Sequence, residues 1–279
     1  MIGQKERRRD GQVLPTSQIT ILLLGWVSSR KTLAKNLILN TEERLTRRTK
    51  SSKMHSGEVA GVKVSVVDTP GWWKFFPAQY TPDWVKMELR RSVTLGSGAP
   101  HAVLLAVPAD TTFLEEQKKI TEDNMKMFGE QVWSHTMVLF TCGDLLGKTS
   151  IEEHIESEGE PLQWLVEKCG NRYHVFDGIN KGNGSQVTEL LEKIKTMAAP
   201  NKSFNMGQTL EQPEMGKKDL GMLLNDLWEE RNTRMEANIE LSSNTSKHFL
   251  VNFSAETYGS DSAAFGPLGL LFYLIIFHC

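Results

Sequence analysis

A glycine, a lysine and a threonine are spaced in this chain as they are in a loop that binds the phosphates of a nucleotide. Gly25 follows a run of apolar residues, and Lys31 and Thr32 begin a segment of helical character. In such a loop the backbone N–H groups and the helix N-terminus face the phosphates, the lysine reaches the outer phosphates, and the threonine hydroxyl suits Mg²⁺. The segment therefore predicts a site for a nucleotide and magnesium.

One position in this loop departs from the usual pattern GxxxxGK[ST]. Arg30 stands where the second glycine is expected. If the backbone there has a positive φ, a non-glycine residue costs on the order of 1–3 kcal/mol. A charge-assisted contact between the guanidinium and a phosphate could return roughly 1.5–3 kcal/mol. Because these energies are comparable, two interpretations stay open: a loop that binds nucleotide, and a loop that has lost this function.

An acidic motif follows the next apolar segment. Residues 62–67 alternate as in a strand and run into Asp68-Thr69-Pro70-Gly71. The Asp68 carboxylate could hold Mg²⁺, usually through water, and the backbone N–H of Gly71 could contact a γ-phosphate. The alternative is an ordinary turn, since Asp, Pro and Gly all favour turns; the position after a phosphate loop favours the nucleotide site. Thr49, in preference to Thr46, is a candidate for a further magnesium ligand.

A third motif, Thr141-Cys142-Gly143-Asp144, follows a later apolar run. The Asp144 carboxylate could accept hydrogen bonds from N1–H and N2–H₂ of guanine, which adenine does not offer. The alternative is a turn residue, since Gly-Asp is common in turns. The position relative to the other two motifs favours a carboxylate that selects guanine.

Strands and helices alternate from Ile19 to Ala198. The predicted strands are 19–24, 58–67 (two strands joined by Ala60-Gly61), 101–107, 137–140 and 173–176; the predicted helices are 31–39, 81–95, 112–128, 161–168 and 187–197. This order is typical of a doubly wound α/β domain with a mostly parallel sheet. Ligands bind such sheets at the carboxyl ends of the strands, which all three motifs follow.

Composition excludes several classes of protein. The net charge of −2 argues against nucleic acid as the main partner. The three cysteines, Cys142, Cys169 and Cys279, have no paired spacing, which disfavours a disulfide framework or a zinc site and indicates a reducing cytosol. No apolar signal segment begins the sequence. We expect a cytoplasmic protein.

Three longer stretches resemble the GIMAP (immunity-associated protein) GTPases, particularly the fish-type members. They run from Gly57-Glu58-Val59-Ala60-Gly61 through Asp68-Thr69-Pro70-Gly71-Trp72-Trp73, from Pro100 through Trp133, and from Ser157 through His174. The resemblance covers roughly Ile19 to Ala199. It implies a septin-related P-loop G domain that binds GTP or GDP with Mg²⁺. It also implies nucleotide-dependent pairing of G domains into a homo-dimer or oligomer, and a role in lymphocyte or innate-immune biology.

The motifs and the resemblance together assign residues to the site. The nucleotide-binding residues are Gly25, Ser28, Ser29, Arg30, Lys31, Thr32, Asp68, Gly71 and Asp144, and the magnesium ligands are Thr32, Asp68 and Thr49. Two departures concern the base. The motif ending in Asp144 lacks the lysine that packs over the base in GTPases, and Gly143 cannot replace it. Asp177-Gly178 stands where the family often has Asn-Asn.

Hydrolysis is expected to be slow or absent. Trp72, and not a glutamine that could orient water, follows Gly71, and no arginine finger can be assigned. His101 and His135 are conceivable catalytic groups that we interpret as structural. Two functions follow: a slow GTPase switch that controls self-assembly, or a pseudo-GTPase scaffold that acts through protein contacts.

The sequence also predicts four segments. They are a disordered tail at 1–17, the G domain at 18–200, a linker with an amphipathic helix at 201–262, and an apolar tail at 263–279. The last segment is shorter than the about 20 apolar residues of a membrane span, so we expect peripheral contact with an intracellular membrane. An aromatic cluster of Trp72, Trp73, Phe75, Phe76 and Tyr80 is either core or a surface that faces a partner.

Overall fold

The computed structural model describes residues 18–43, 48–96, 98–178 and 184–198. A six-stranded sheet in the order β2-β3-β1-β4-β5-β6 forms its centre. The strands are β1 (Gln18–Leu24), β2 (Lys53–Val59), β3 (Val62–Asp68), β4 (Ala102–Pro108), β5 (Thr136–Thr141) and β6 (Tyr173–Phe176). Only the pairing of β2 with β3 is antiparallel among these. The predicted α/β fold with a mostly parallel sheet is confirmed.

Helices connect the parallel strands. They are α1 (Lys31–Leu39), α2 (Asp83–Ser92), α3 (Glu115–Met125), α4 (Ile151–Glu158), α5 (Glu160–Lys168) and α6 (Ser185–Ala198). The bounds of α1 and β6 agree with the sequence prediction. Helix α4 was not predicted because none of its residues is fully buried. Its start is nevertheless encoded by a capping box, in which Ser150 and Glu153 bond reciprocally.

The two faces of the sheet carry separate hydrophobic cores. Leu22 and Leu24 of β1 pack with α2, α3 and α5, whereas Ile21 and Leu23 pack with α1 and α6. Because side chains alternate along a strand, a strand buried on both faces is apolar at nearly every position. This burial fixes the register of the central strands, and their carboxyl ends therefore meet at one edge.

The structure corrects one local prediction and decides between two alternatives at another position. Thr81 does not cap α2: Pro82 is the residue before the helix, and the Thr81 hydroxyl donates to Asn124 Oδ1 at 3.2 Å in the core. The aromatic cluster divides, since Trp72 and Trp73 are only 1% and 8% exposed. These two tryptophans belong to the interior and not to a partner-facing surface.

The predicted membrane contact is also corrected. Residues 1–17, 201–262 and 263–279, to which the sequence assigned a tail, a linker with a helix and an apolar segment, lie outside the described residues. Within the part of the chain that is described, no helix is long and apolar enough to cross a membrane. The predicted contact with an intracellular membrane therefore has no support in the structure, and we withdraw it.

A buried histidine makes stability depend on pH. His174 on β6 lies against α6 with its side chain 4% exposed, 3.9 Å from Glu189 and 3.4 Å from Lys193. Burial, and then the charge of Lys193, lower its pKa from 6.5 to about 4. Between pH 6.5 and 4, His174 is protonated in the unfolded chain and neutral in the folded chain. The free energy of unfolding therefore falls as the pH drops towards 4.

We predict a loss of up to about 3 kcal/mol of unfolding free energy between pH 6.5 and 4 from this one group. Urea titrations of the wild type and of His174→Leu across this range measure it. The variant should show a shallower pH slope, whereas its stability at pH 8 sets the packing cost of the substitution. Equal slopes for the two proteins would contradict the assignment.

Candidate nucleotide-binding site

The loop after β1 runs close against the neighbouring strand. Gly25 has φ 146°, and a Cβ there would come within 2.6 Å of Ser29 Oγ and 2.9 Å of the Ala106 carbonyl oxygen. A side chain at this position would therefore force the loop away from β4. Ser29 is buried, whereas Ser28 is exposed and also has a positive φ of 70°.

Arg30 adopts a backbone conformation that glycine tolerates better than other residues. It has φ 62° and ψ 31°, in the left-handed region, and its carbonyl oxygen accepts the first helical bond of α1 from Ala34 N at 3.0 Å. This conformation costs an L-residue about 1–2 kcal/mol. The arginine therefore strains the loop without changing its course into the helix.

The side chain of Arg30 forms a bidentate ion pair. Its Nη1 and Nη2 donate to the two carboxylate oxygens of Asp110 at 2.7 and 2.8 Å, just beyond the end of β4. Asp110 raises the pKa of Arg30, and a contact with the Cys142 thiol acts in the same direction. From the sequence, the Arg30 guanidinium could contact a phosphate. In the structure it is paired with the Asp110 carboxylate instead.

Lys31 lies inside the loop. Its Nζ donates to the carbonyl oxygens of Gly25 and Trp26 at 3.2 and 2.9 Å, and to Ser29 Oγ at 3.3 Å. Burial lowers its pKa to about 8, against the opposing effect of Asp68. A desolvated ammonium held by neutral oxygens is a strong site for an anion.

Three oxygen-bearing side chains meet beside this lysine. The hydroxyls of Thr32 and Thr49 donate to Asp68 Oδ2 at 3.3 and 3.2 Å. Asp68 is 5% exposed, and its Oδ1 is buried without a hydrogen-bond partner in the described chain. Carboxylate and hydroxyl oxygens are the ligands that Mg²⁺ prefers, and an orphaned buried carboxylate oxygen is costly unless a cation takes it. The residues therefore fit magnesium. Thr46 lies outside the described residues.

The segment after Asp68 is hydrogen-bonded to β1 and to the phosphate loop, residues 25–30. Thr69 Oγ1 donates to the Leu23 carbonyl oxygen at 2.6 Å, and Val27 N donates to the Trp72 carbonyl oxygen at 2.7 Å. A Cβ on Gly71 would lie 2.7 Å from the Trp26 carbonyl oxygen. Gly71 thus has to be a glycine, because its backbone packs directly on the loop.

An unexpected arginine holds the segment that carries Thr49. The guanidinium carbon of Arg48 lies 5.0 Å from the ring centre of Trp73 and 5.1 Å from that of Trp84. The charge of Arg48 also contributes to the lowered pKa of Lys31. Neither Arg48 nor Asp110 was singled out from the sequence. Asp110 could have been found from the sequence, because it follows an apolar strand as Asp68 does. The position of Arg48 between Trp73 and Trp84 could not, because both tryptophans are far from it in the sequence.

The motif ending in Asp144 lies beside the phosphate loop. Thr141 Oγ1 donates to the Ser29 carbonyl oxygen at 3.4 Å. Asp144 is half-buried, and its Oδ1 accepts a hydrogen bond from Gly178 N. A Cβ on Gly178 would lie 2.9 Å from Cys142 Sγ. The Asp177-Gly178 pair therefore supports Asp144 through the backbone, and glycine is required at the second position.

The two candidate histidines lie at the opposite edge of the sheet. His101 precedes β4 and accepts a hydrogen bond from Thr20 N on Nδ1 at 2.9 Å, and His135 precedes β5 and is buried. Burial lowers the pKa of both. Since the phosphate loop follows the carboxyl end of β1, both histidines lie away from it and have structural roles.

Comparison with known sequences identifies relatives. GTPase IMAP family member 8 of Rattus norvegicus is 33% identical over 221 residues, which are 73% of this chain and 31% of the relative. Immune-associated nucleotide-binding protein 5 of Arabidopsis thaliana is 25% identical over 232 residues, 79% of this chain and 74% of the relative. The chain thus spans less than a third of the rat protein.

Comparison with solved structures identifies the fold. Toc33 from Arabidopsis thaliana in complex with GDP and Mg²⁺ matches with a TM-score of 0.56 at 16% identity, covering 68% of this chain and 88% of Toc33. The described fold is that of a P-loop G domain. A model of the AIG1 family matches residues 19–218, most of the chain. The resemblance to immunity-associated GTPases is confirmed, and this chain belongs to the AIG1 family.

Proposed function

We propose that this chain binds GTP or GDP together with Mg²⁺. The observation that carries the proposal is the meeting of Thr32, Thr49 and Asp68 next to the buried ammonium of Lys31. These groups come from three separate segments, and hydroxyls of two of them converge on one carboxylate. Magnesium bound there would neutralise phosphate charge. Lys31 and the backbone N–H groups at the start of α1 would hold the phosphates themselves.

Guanine is the base that this site fits. Asp144 follows the 141–143 segment, which Thr141 ties to the phosphate loop, and its carboxylate is fixed by Gly178 N. A fixed carboxylate accepts from N1–H and N2–H₂ of guanine. Adenine would instead present an acceptor to it and leave a desolvated charge unpaired. The names of the relatives, GTPase and nucleotide-binding protein, support the same ligand.

Slow hydrolysis is part of the proposal. The Trp72 side chain, in the position where a glutamine could orient water, is 1% exposed and packs in the core beside β1. An indole buried there has neither the access nor the acceptor needed to position a water molecule. A protein with this arrangement is therefore expected to hydrolyse its bound GTP slowly.

Nucleotide-controlled self-assembly remains a prediction. For the fold relatives Toc33 and Toc159, dimerization is important for GTPase activity. Pairing of two copies of this chain could in the same way raise its rate of GTP hydrolysis. The alternative is a scaffold that no longer binds nucleotide, and it rests on Arg30. The binding form is favoured because Arg30 directs its side chain to Asp110, beyond the end of β4, and its carbonyl oxygen still accepts the first hydrogen bond of α1.

Replacement of Asp144 tests the base assignment. Asp144→Asn turns one acceptor into a donor, which matches the 2-oxo group of xanthine and mismatches guanine. We expect GDP affinity to fall by about 100-fold or more and xanthosine diphosphate affinity to rise, since hydrogen-bond mismatches in a buried site are costly. Calorimetric titration with both nucleotides measures this. Equal loss of both ligands would point to damage of the loop, and unchanged GDP affinity would contradict the assignment.

Replacement of Thr49 tests the magnesium site. Thr49→Ala should weaken Mg²⁺-dependent binding of a non-hydrolysable GTP analogue by about tenfold, as for other supporting ligands of a metal. Binding measured in EDTA should stay nearly the same. Thr49→Ser keeps the hydroxyl and should retain the magnesium effect. Thr46→Ala is the matched control, and a larger effect there than at Thr49 would reverse the assignment.

The pKa of Lys31 predicts how affinity depends on pH. With a pKa of about 8 in the free protein, the ammonium loses its charge as the pH rises through 8, and phosphate binding then requires uptake of a proton. GDP affinity should be nearly constant from pH 6.5 to 7.5 and fall by several-fold by pH 9. Lys31→Arg stays charged, so its affinity, although lower, should be flat. A flat wild-type profile would show that Lys31 is not desolvated.

A further inference from the structure

Arg30 and Lys31 are adjacent but face different parts of the site. Asp68 and Arg48 act on the charge of Lys31, whereas Asp110 and Cys142 act on that of Arg30. The left-handed backbone of Arg30 turns its side chain out of the loop, towards the end of β4 and the segment that leads to Asp144. Arg30 therefore belongs to the base end of the site, and Lys31 to the phosphate end.

Within the described segment 141–144, the residues beside Asp144 offer no side chain that could cover the ring of a base. Cys142 is short and has a left-handed φ of 58°. Gly143 cannot carry a side chain, because a Cβ there would collide with Val175. In the segment 141–144, Asp144 is therefore the residue whose side chain can reach a base. Its carboxylate would hydrogen-bond the edge of the ring and would not cover the face of the ring. Among the described residues outside this segment, the Arg30 guanidinium contacts the Cys142 thiol and is a candidate to cover the ring.

The ion pair with Asp110 prepares this guanidinium for stacking. Both bonds, at 2.7 and 2.8 Å, lie along the fork of the guanidinium, so they fix its plane and leave the flat faces open. The side chains of Arg30 and Asp110 are 34% and 29% exposed, so the pair is accessible to a ligand. A planar, weakly hydrated cation stacks well on an aromatic ring.

We propose that Arg30 is a binding residue for the base: its guanidinium, oriented by Asp110, stacks on the purine of the bound nucleotide in place of the base-packing lysine that the Asp144 motif lacks. The inference rests on the nucleotide site proposed above. It gives the arginine a role that offsets the strain of its left-handed backbone. It also predicts that the arginine contributes to the base and not to the phosphates.

Two probes separate these contributions. GDP carries the base, and pyrophosphate carries only the phosphates; each is titrated calorimetrically with Mg²⁺ into the full chain. In Arg30→Gln, which keeps a polar side chain but loses the cation, we expect GDP to bind about tenfold more weakly, the scale of a stacking contact, and pyrophosphate within twofold of wild type. Asp110→Asn loosens the guanidinium and should weaken GDP by about threefold.

Arg30→Gly provides the sharpest comparison. It removes the backbone strain, which favours folding, and it removes the stacking group, so GDP should still bind about tenfold more weakly. A thermal melt of each variant shows that it is folded. Tighter GDP binding by Arg30→Gly would mean that the arginine obstructs the site, and equal losses for GDP and pyrophosphate would mean that it serves the loop. Either result overturns the inference.

The wild type distinguishes this inference from the proposed function. If the wild type binds GDP and the Arg30 variants bind it equally well, the stacking role is wrong and the nucleotide site stands. If the wild type binds neither GDP nor pyrophosphate, the proposed function itself fails.

Discussion

The left-handed backbone at Arg30 is the constraint on which the rest of the site depends. Between β1 and α1 the chain turns through Arg30 with φ 62° and ψ 31°, a conformation that glycine adopts freely and arginine adopts at a cost. The chain accepts that cost, and the Asp110 carboxylate satisfies the charge that comes with it. A change of one residue in a short motif therefore alters the lining of the site and leaves its backbone in place.

The parallel sheet brings the remaining groups to this loop. Its central strands are buried on both faces, so their register is fixed. Asp68 ends β3, and Asp110 and Asp144 lie just beyond the ends of β4 and β5, at the same edge of the sheet. The Thr69 hydroxyl then donates to β1 at Leu23, and the Thr141 hydroxyl donates to the phosphate loop at Ser29. The site is thus held by backbone contacts between loops, and a ligand would act on several of them at once.

Much of this arrangement could be predicted from the sequence, because it follows from local patterns. Apolar runs gave the strands. Thr49 and Asp68 were chosen from their residue types and their positions after the phosphate loop, and the two side chains are hydrogen-bonded. What the sequence could not give depends on contacts between distant segments, such as Arg48 between two tryptophans and the partner of Arg30. The Thr81 cap was wrong for a related reason: a buried polar partner, Asn124, competed for its hydroxyl.

The central claim is that the loop binds a guanine nucleotide although Arg30 replaces its glycine. Calorimetric titration of the full chain with GDP and Mg²⁺, with ADP as the competing base, tests it most directly. We expect one GDP bound per chain with micromolar or tighter affinity, and ADP binding at least about 100-fold weaker. Absence of GDP binding by the folded protein, or equal affinity for both nucleotides, would contradict it.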